Sequence, residues 1–138
     1  MSAYILRVHE PALRAAVQWA RTPGPDGRRP IDDPGVRERL ADVELGVVVS
    51  KLTPGPQGRV YSADAMIRNS AELVDLLGPC ALVPRGHPSA IGDGWVEYAH
   101  RFAQACAIYG GTTEVIRNLI AERFLNLGRS RPRQPASA

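Results

Sequence analysis

The twelve prolines and thirteen glycines of this chain are gathered into clusters, and the intervals between the clusters limit the fold more than any other feature. Thr22-Pro23-Gly24-Pro25-Asp26-Gly27 and Thr53-Pro54-Gly55-Pro56-Gln57-Gly58 read as loops. A longer loop runs from Gly78-Pro79 through Pro84, Gly86 and Pro88 to Gly92-Asp93-Gly94. Proline removes a backbone donor and glycine adds conformational freedom, so such clusters interrupt regular structure. Between them the apolar residues recur at helical spacing. Pro11 suits a first turn, and Pro11 to Arg21 carries Leu13, Ala16, Val17 and Ala20 on one stripe. Asp33-Pro34 is an N-cap followed by a first-turn proline, opening a helix with Val36, Leu40, Val43 and Val47. A third helix is expected from about Ser62 to Leu77, with Ile67, Ala71 and Val74 as its ridge and Met66, Leu73 and Leu77 beside it. A fourth is expected from Trp95 to Cys106, presenting Tyr98, Phe102 and Ala105. The last is capped by Thr112 or Thr113, buries Ile116, Ile120, Phe124 and Leu127, and stops at Gly128. Each apolar stripe needs a partner, so the expected fold is all-α, an antiparallel four-helix bundle with a short extra helix.

Composition agrees. Aromatic residues make up only 6% and β-branched runs are short, which favours helices packed through Ala, Leu and Val. Residues 1–128 are expected to form one domain and 129–138 a disordered tail. The net charge is +3, too small to argue for nucleic acid. Lys51 is the sole lysine, so the arginines reflect an arginine-for-lysine bias more than phosphate recognition. Cys80 and Cys106 belong to no C-x-x-C pair and read as free thiols. No stretch approaches a membrane span. Arg7, His9 and Glu10 come too early for a signal-peptide core, which places the protein in the cytoplasm.

Isolated candidate sites have plain structural alternatives. Asp32-Asp33 is either a paired-carboxylate site or, the stronger expectation, a loop residue beside an N-cap. His9, His87 and His100 are scattered without ligand spacing, so no metal site is expected. The Gly86–Gly94 loop lacks the G-K-[ST] ending of a phosphate-binding loop. Arg129, Arg131 and Arg133 read as a solvated end.

One segment says more. Ile108-Tyr109-Gly110-Gly111-Thr112, followed by Arg117 and then Ala121-Glu122-Arg123, resembles the C-terminal signature of acyl-CoA dehydrogenases, I-Y-x-G-T-x-x-x-x-R ending in an A-E-R helix. Upstream, Trp19-Ala20-Arg21, the run from Asp33 to Asp42, and Asp75-Leu-Leu-Gly78-Pro79 resemble earlier parts of the same domain in order and spacing. The resemblance implies the C-terminal helical domain of a protein whose family also has an N-terminal helical and a middle β domain. It implies an oxidoreductase acting on CH–CH donors: a glutamate removes the α-proton of an acyl-CoA thioester while FAD accepts the β-hydrogen as hydride. In many members that glutamate lies between the tyrosine and glycine of the signature, where this chain has Gly110, so the resemblance implies no catalytic residue here. The position used by other members, on the first helix, falls before Met1 when counted back from Arg21. Glu10 is the nearest carboxylate, but its register is off by several turns.

The resemblance further implies a substrate-binding role for Tyr109, Gly110 and Gly111, with the Gly110 N–H directed at a thioester oxygen. It implies contacts of Thr112 and Glu114 with the diphosphate and adenosine region of FAD. Glu114 replaces a glutamine of some members, and the family's R-x-x-F motif is not matched, since Arg21 is followed by Thr-Pro-Gly-Pro. The implied partners are an acyl-CoA dehydrogenase-like subunit, in a homo- or hetero-oligomer, and acyl-CoA; nucleic acid and membrane are not implied. The chain then reads as a truncated, non-catalytic subunit, inactive alone. The alternative is a structural or oligomerisation module, or a gene remnant, with no flavin chemistry.

Overall fold

The computed structural model describes residues 2–128. Five α-helices account for most of them, and no strand occurs among the described residues. The helices are α1 (Ser2–Arg21), α2 (Pro34–Leu52), α3 (Gly55–Leu77), α4 (Trp95–Cys106) and α5 (Thr113–Arg123). Short 3-10 turns lie at Pro30–Asp32, Gly78–Leu82 and Ile91–Gly94. The expected tail at 129–138 lies outside the described residues.

Helix α3 is the centre of the arrangement and touches each of the other four helices. The buried core comes from α1 to α4, with Ala81 from the turn after α3. Alanines 12, 15, 16, 20, 63, 99 and 103 are part of it. Small side chains let helix axes approach closely, and larger ones, Ile5, Met66, Leu73 and Val96 among them, fill the remaining space. Helix α5 packs against α3 and fully buries only Thr113.

Several boundaries differ from expectation. Helix α1 starts nine residues before Pro11 and runs through it. Pro11 leaves the Arg7 carbonyl without its helical donor, a cost of about 3 kcal/mol in a helix interior, but Arg7 is exposed to water and Ile5, Val8 and His9 are buried. Tertiary burial of that extra turn outweighs the local penalty. Helix α3 begins at Gly55, because Pro56 occupies a first-turn position where its missing N–H costs nothing. Its buried stripe is Arg59, Ala63, Met66, Ser70, Leu73 and Leu77, rotated from the expected ridge, and Ala71 is exposed. On α4 the buried residues are Val96, Ala99, Ala103 and Cys106; Ala105 is exposed, and Tyr98 and Phe102 are half-buried.

The last helix ends at Arg123, before Gly128. Asn126 takes the left-handed conformation (φ 55°), and the Leu127 N–H reaches back to the Ala121 carbonyl at 2.9 Å. Asparagine tolerates that conformation and so terminates the helix early. Phe124 and Leu127 are therefore exposed, while Ile116 and Ile120 are half-buried.

A polar node sits inside the helix pack. Asn69 Nδ2 lies 3.2 Å from His9 Nε2 and donates to the Val43 carbonyl at 3.2 Å, joining α1, α2 and α3. Gly46 leaves room for that amide: a Cβ there would overlap Asn69 Nδ2. His9 is 1% exposed. Burial lowers its pKa from 6.5 to about 4, with Arg68 acting in the same direction and Glu10 against it. The folded ring stays neutral down to about pH 4, whereas the unfolded ring protonates near 6.5. Between those values the unfolded chain binds more protons, so this contribution to stability is present above pH 6.5 and lost as the pH falls towards 4. We predict that thermal melts will show up to about 3 kcal/mol of acid destabilisation from this group. His9→Gln should remove that part of the slope between pH 6.5 and 4, and an unchanged slope would refute the assignment.

Candidate functional site

The signature residues form one turn. Helix α4 ends at Cys106, and the Ile108 and Tyr109 N–H groups both close onto the Ala105 carbonyl at 3.0 Å. The backbone then reverses through Gly110 (φ 67°) and Gly111 (φ 99°), conformations that an L side chain resists. The Thr113 N–H returns to the Ala107 carbonyl at 3.1 Å. A Cβ on Gly111 would meet nothing closer than Ile116 Cγ1 at 3.9 Å, so glycine is required there by backbone conformation, not by space. The N–H groups of Gly110 and Gly111 make no backbone hydrogen bond among the described residues.

Arg59 holds this turn from the side. Its guanidinium lies in the core of α3, 4% exposed, and Nη2 donates to the Cys106 carbonyl at 2.7 Å and the Tyr109 carbonyl at 2.8 Å. Its Cζ also sits 5.1 Å from the centre of the Tyr109 ring. A cation suits the carbonyl end of α4, where the helix dipole is negative. Sequence reading passed over Arg59. The available signal was its position on the stripe that continues through Ala63, Met66 and Ser70, since an arginine at a core register needs a polar partner.

Tyr109 packs edge-on to Tyr4 of α1 (centroids 6.3 Å apart) and tilted against Phe102 of α4 (6.0 Å). Its hydroxyl is buried beside the Cys106 thiol, and burial pushes its pKa up to about 12. The Cys106 thiol is likewise pushed up to about 11 by burial, which makes it a packing residue and not a nucleophile.

Thr112 is the N-cap of α5, its hydroxyl accepting from the Val115 N–H at 3.3 Å. Glu114, exposed in the first turn, accepts from Thr113 Oγ1 at 3.2 Å. Its pKa is lowered first by its own backbone N–H, then by the Thr112 and Thr113 hydroxyls. Arg117 lies 3.7 Å from Glu114 and 2.8 Å from Asp64, which ties α5 to α3. The N-terminal donors that a diphosphate would use are thus already turned towards the chain's own carboxylate. The Glu114 charge opposes a second anion at this helix start, an effect that solvent screens because the side chain is exposed.

The other candidates fall elsewhere. Glu10 lies mid-helix, pairing with Lys51 at 3.4 Å and Arg14 at 3.9 Å across a groove between α1 and α2. It stands six residues, about 9 Å of helix rise, beyond the Tyr4 that touches the turn. Asp33 caps α2 through the Gly35 and Val36 N–H groups, and Asp32 pairs with Arg29 at 2.8 Å, so the two carboxylates have separate structural work. No group of three metal-ligating side chains occurs among the described residues. No helix described here is long and apolar enough to cross a membrane.

Comparisons with known proteins agree with this helical domain. The family model for the acyl-CoA dehydrogenase C-terminal domain matches residues 57–125, from the first turn of α3 to just beyond α5. The chain belongs to the acyl-CoA dehydrogenase family. Acyl-CoA dehydrogenase FadE26 of Mycobacterium tuberculosis (strain ATCC 25618 / H37Rv) is 29% identical over 86% of this chain and 34% of that protein. The ChsE4-ChsE5 complex from Mycobacterium tuberculosis superposes with a TM-score of 0.79 at 28% identity, over 91% of this chain and 36% of the matched one. The Tcur3481-Tcur3483 steroid ACAD has a TM-score of 0.72 at 23% identity, over 94% and 35% of the two chains, and speaks for the fold alone. The chain therefore spans about a third of the length of these relatives.

Arg59→Ala should leave the Cys106 and Tyr109 carbonyls without their donor and lower stability by about 3 kcal/mol. Urea denaturation followed by circular dichroism measures this. A loss under 1 kcal/mol would show that the turn holds without the guanidinium.

Proposed function

We propose that this chain supplies the C-terminal helical part of an acyl-CoA dehydrogenase-type flavin site without supplying the base. It works in an assembly with an acyl-CoA dehydrogenase-like subunit that carries the glutamate. The observation behind this reading is Gly110, which turns the chain at φ 67° with no side chain at the position where, by resemblance, many members have the proton-accepting glutamate. An α-proton needs a carboxylate within hydrogen-bonding reach and donors aimed at the thioester oxygen. The N–H groups of Gly110 and Gly111, which make no backbone hydrogen bond among the described residues, suit the second need, and Gly110 offers no side chain for the first.

In this reading Tyr109, Gly110 and Gly111 line the acyl-thioester pocket, and Thr112 and Glu114 face the diphosphate side of FAD. Glu114 makes the flavin contact weak from this chain, so the partner supplies most of the affinity. Cytoplasmic lipid metabolism is the setting such an assembly implies. A second reading, an assembly module without flavin, is favoured by exposed Leu45, Val48 and Leu52 on α2.

The test is a visible spectrum after incubation with FAD and gel filtration, with and without an acyl-CoA dehydrogenase-like subunit. The chain alone should be colourless, and the mixture should retain a band near roughly 450 nm from the oxidised cofactor. Colourless protein in both samples overturns the flavin reading and leaves the assembly module. In the mixed sample Glu114→Gln should tighten flavin retention several-fold, because it removes a like charge at a helix N-terminus. Weaker retention would mean that the carboxylate itself contacts the cofactor.

A further inference from the structure

Arg59 and the Gly110 N–H sit at opposite ends of one peptide group. The peptide between Tyr109 and Gly110 is trans, and in a trans peptide the carbonyl and the N–H point in opposite directions. The carbonyl end belongs to Tyr109 and accepts from Arg59 Nη2 at 2.8 Å. The N–H end belongs to Gly110, which is exposed and makes no backbone hydrogen bond among the described residues. A cation in the core thus holds one end of the peptide, and the other end leads away from it as a bare donor.

The guanidinium has little else to act on. Both hydrogens of Nη2 are spent, one on the Cys106 carbonyl at 2.7 Å and one on the Tyr109 carbonyl. Nε and Nη1 are buried and meet no hydrogen-bond partner among the described residues. A buried guanidinium is ordinarily paired with a carboxylate. Here its charge falls on two carbonyl dipoles and the Tyr109 ring. The two gripped peptides differ at their far ends. The Ala107 N–H, which shares a peptide with the Cys106 carbonyl, is already bonded to the Ala105 carbonyl. The Gly110 N–H is the one left open to an outside acceptor. A charge-assisted hydrogen bond to a carbonyl draws electron density from the amide nitrogen towards the oxygen, so the N–H beyond it becomes a stronger donor.

We propose that Arg59 is a positioning residue for the thioester pocket: by gripping the Tyr109 carbonyl it polarises the Tyr109–Gly110 peptide and strengthens the Gly110 N–H as a donor to the thioester oxygen. This rests on the acyl-thioester reading above and adds a residue to it. Arg59 touches neither thioester nor flavin and acts through the peptide alone. As the α-proton leaves for the glutamate of the partner subunit, negative charge grows on the thioester oxygen. A polarised donor binds that oxygen more strongly than it binds the neutral carbonyl, and that difference is what lowers the barrier.

Nuclear magnetic resonance of the chain alone tests the polarisation. A polarised amide is the stronger acid, so the Gly110 N–H should exchange with solvent in base several-fold faster than the Gly111 N–H, which also lacks a backbone partner. Arg59→Lys keeps a cation and should retain most of that difference. Arg59→Gln keeps a donor without the charge and should lose most of it, while unchanged Ile108, Tyr109 and Thr113 amide shifts show that the turn holds its shape. Equal rates at the two glycines of the wild type overturn the proposal, even if Arg59→Gln fails to fold; so does a difference that survives Arg59→Gln. The pocket itself is read by infrared spectroscopy of octanoyl-CoA, isotope-labelled at the thioester carbonyl, bound to the mixture with an acyl-CoA dehydrogenase-like subunit. The carbonyl stretch should fall on binding, keep its fall in Arg59→Lys and recover towards the free value in Arg59→Gln. An unmoved stretch beside a fast-exchanging Gly110 refutes the thioester reading and the role of Arg59 with it. A fall equal in wild type and Arg59→Gln refutes the role of Arg59 and leaves the thioester reading standing.

Discussion

The turn between α4 and α5 keeps its shape because the Arg59 guanidinium reaches out of α3 to the Cys106 and Tyr109 carbonyls. A helix ends with carbonyls that have no donor of their own, and burying them bare costs free energy. One planar cation satisfies two of them and lies against the Tyr109 ring. The same cation would be costly in the core without those acceptors, so the guanidinium and the turn stabilise each other. Tyr4 and Phe102 close around the ring from α1 and α4. The position of Gly110 and Gly111 is therefore set by three helices, although all the signature residues are consecutive in the chain.

Helix α5 leans on this arrangement more than on hydrophobic burial. It contacts α3, buries Thr113, and is pinned by Arg117 to Asp64. An exposed pair of that kind contributes little. The end of α5 presents Phe124, Leu125 and Leu127 to solvent. Few buried contacts place this helix at the low end of the local stability range. By contrast α1, α2 and α3 are joined through the His9–Asn69 node, where the Asn69 amide meets His9 Nε2 and the Val43 carbonyl in one register of the helices.

Much of the fold was legible before the structure. Asp33-Pro34 opened α2 as a cap and first-turn proline should, Gly78-Pro79 closed α3, and Thr112 capped α5. Those signals are local, since a side-chain oxygen or a missing N–H acts within one turn. What failed was local chemistry overruled by packing. Pro11 was expected to begin a helix, yet the turns before it are buried. Phe124 and Leu127 were expected in the core, yet α5 ends at Arg123 and both are exposed. The signature residues were visible as a string, whereas Arg59, about 50 residues away, was not, because its partners are backbone carbonyls that no side-chain pattern reveals.

By itself the sequence determined the helical class, the punctuation between helices, and a Tyr109-Gly110-Gly111-Thr112 string with no titratable side chain at Gly110. These follow from periodicity, capping and the absence of a titratable side chain, all properties of short stretches. Only the tertiary structure decided that the turn hangs on a buried arginine, that Glu114 takes up the donors at the start of α5, and that α2 shows a second apolar face to solvent. Each of these depends on which helices come together, and that is fixed by burial summed over the whole chain, not by any one segment of it.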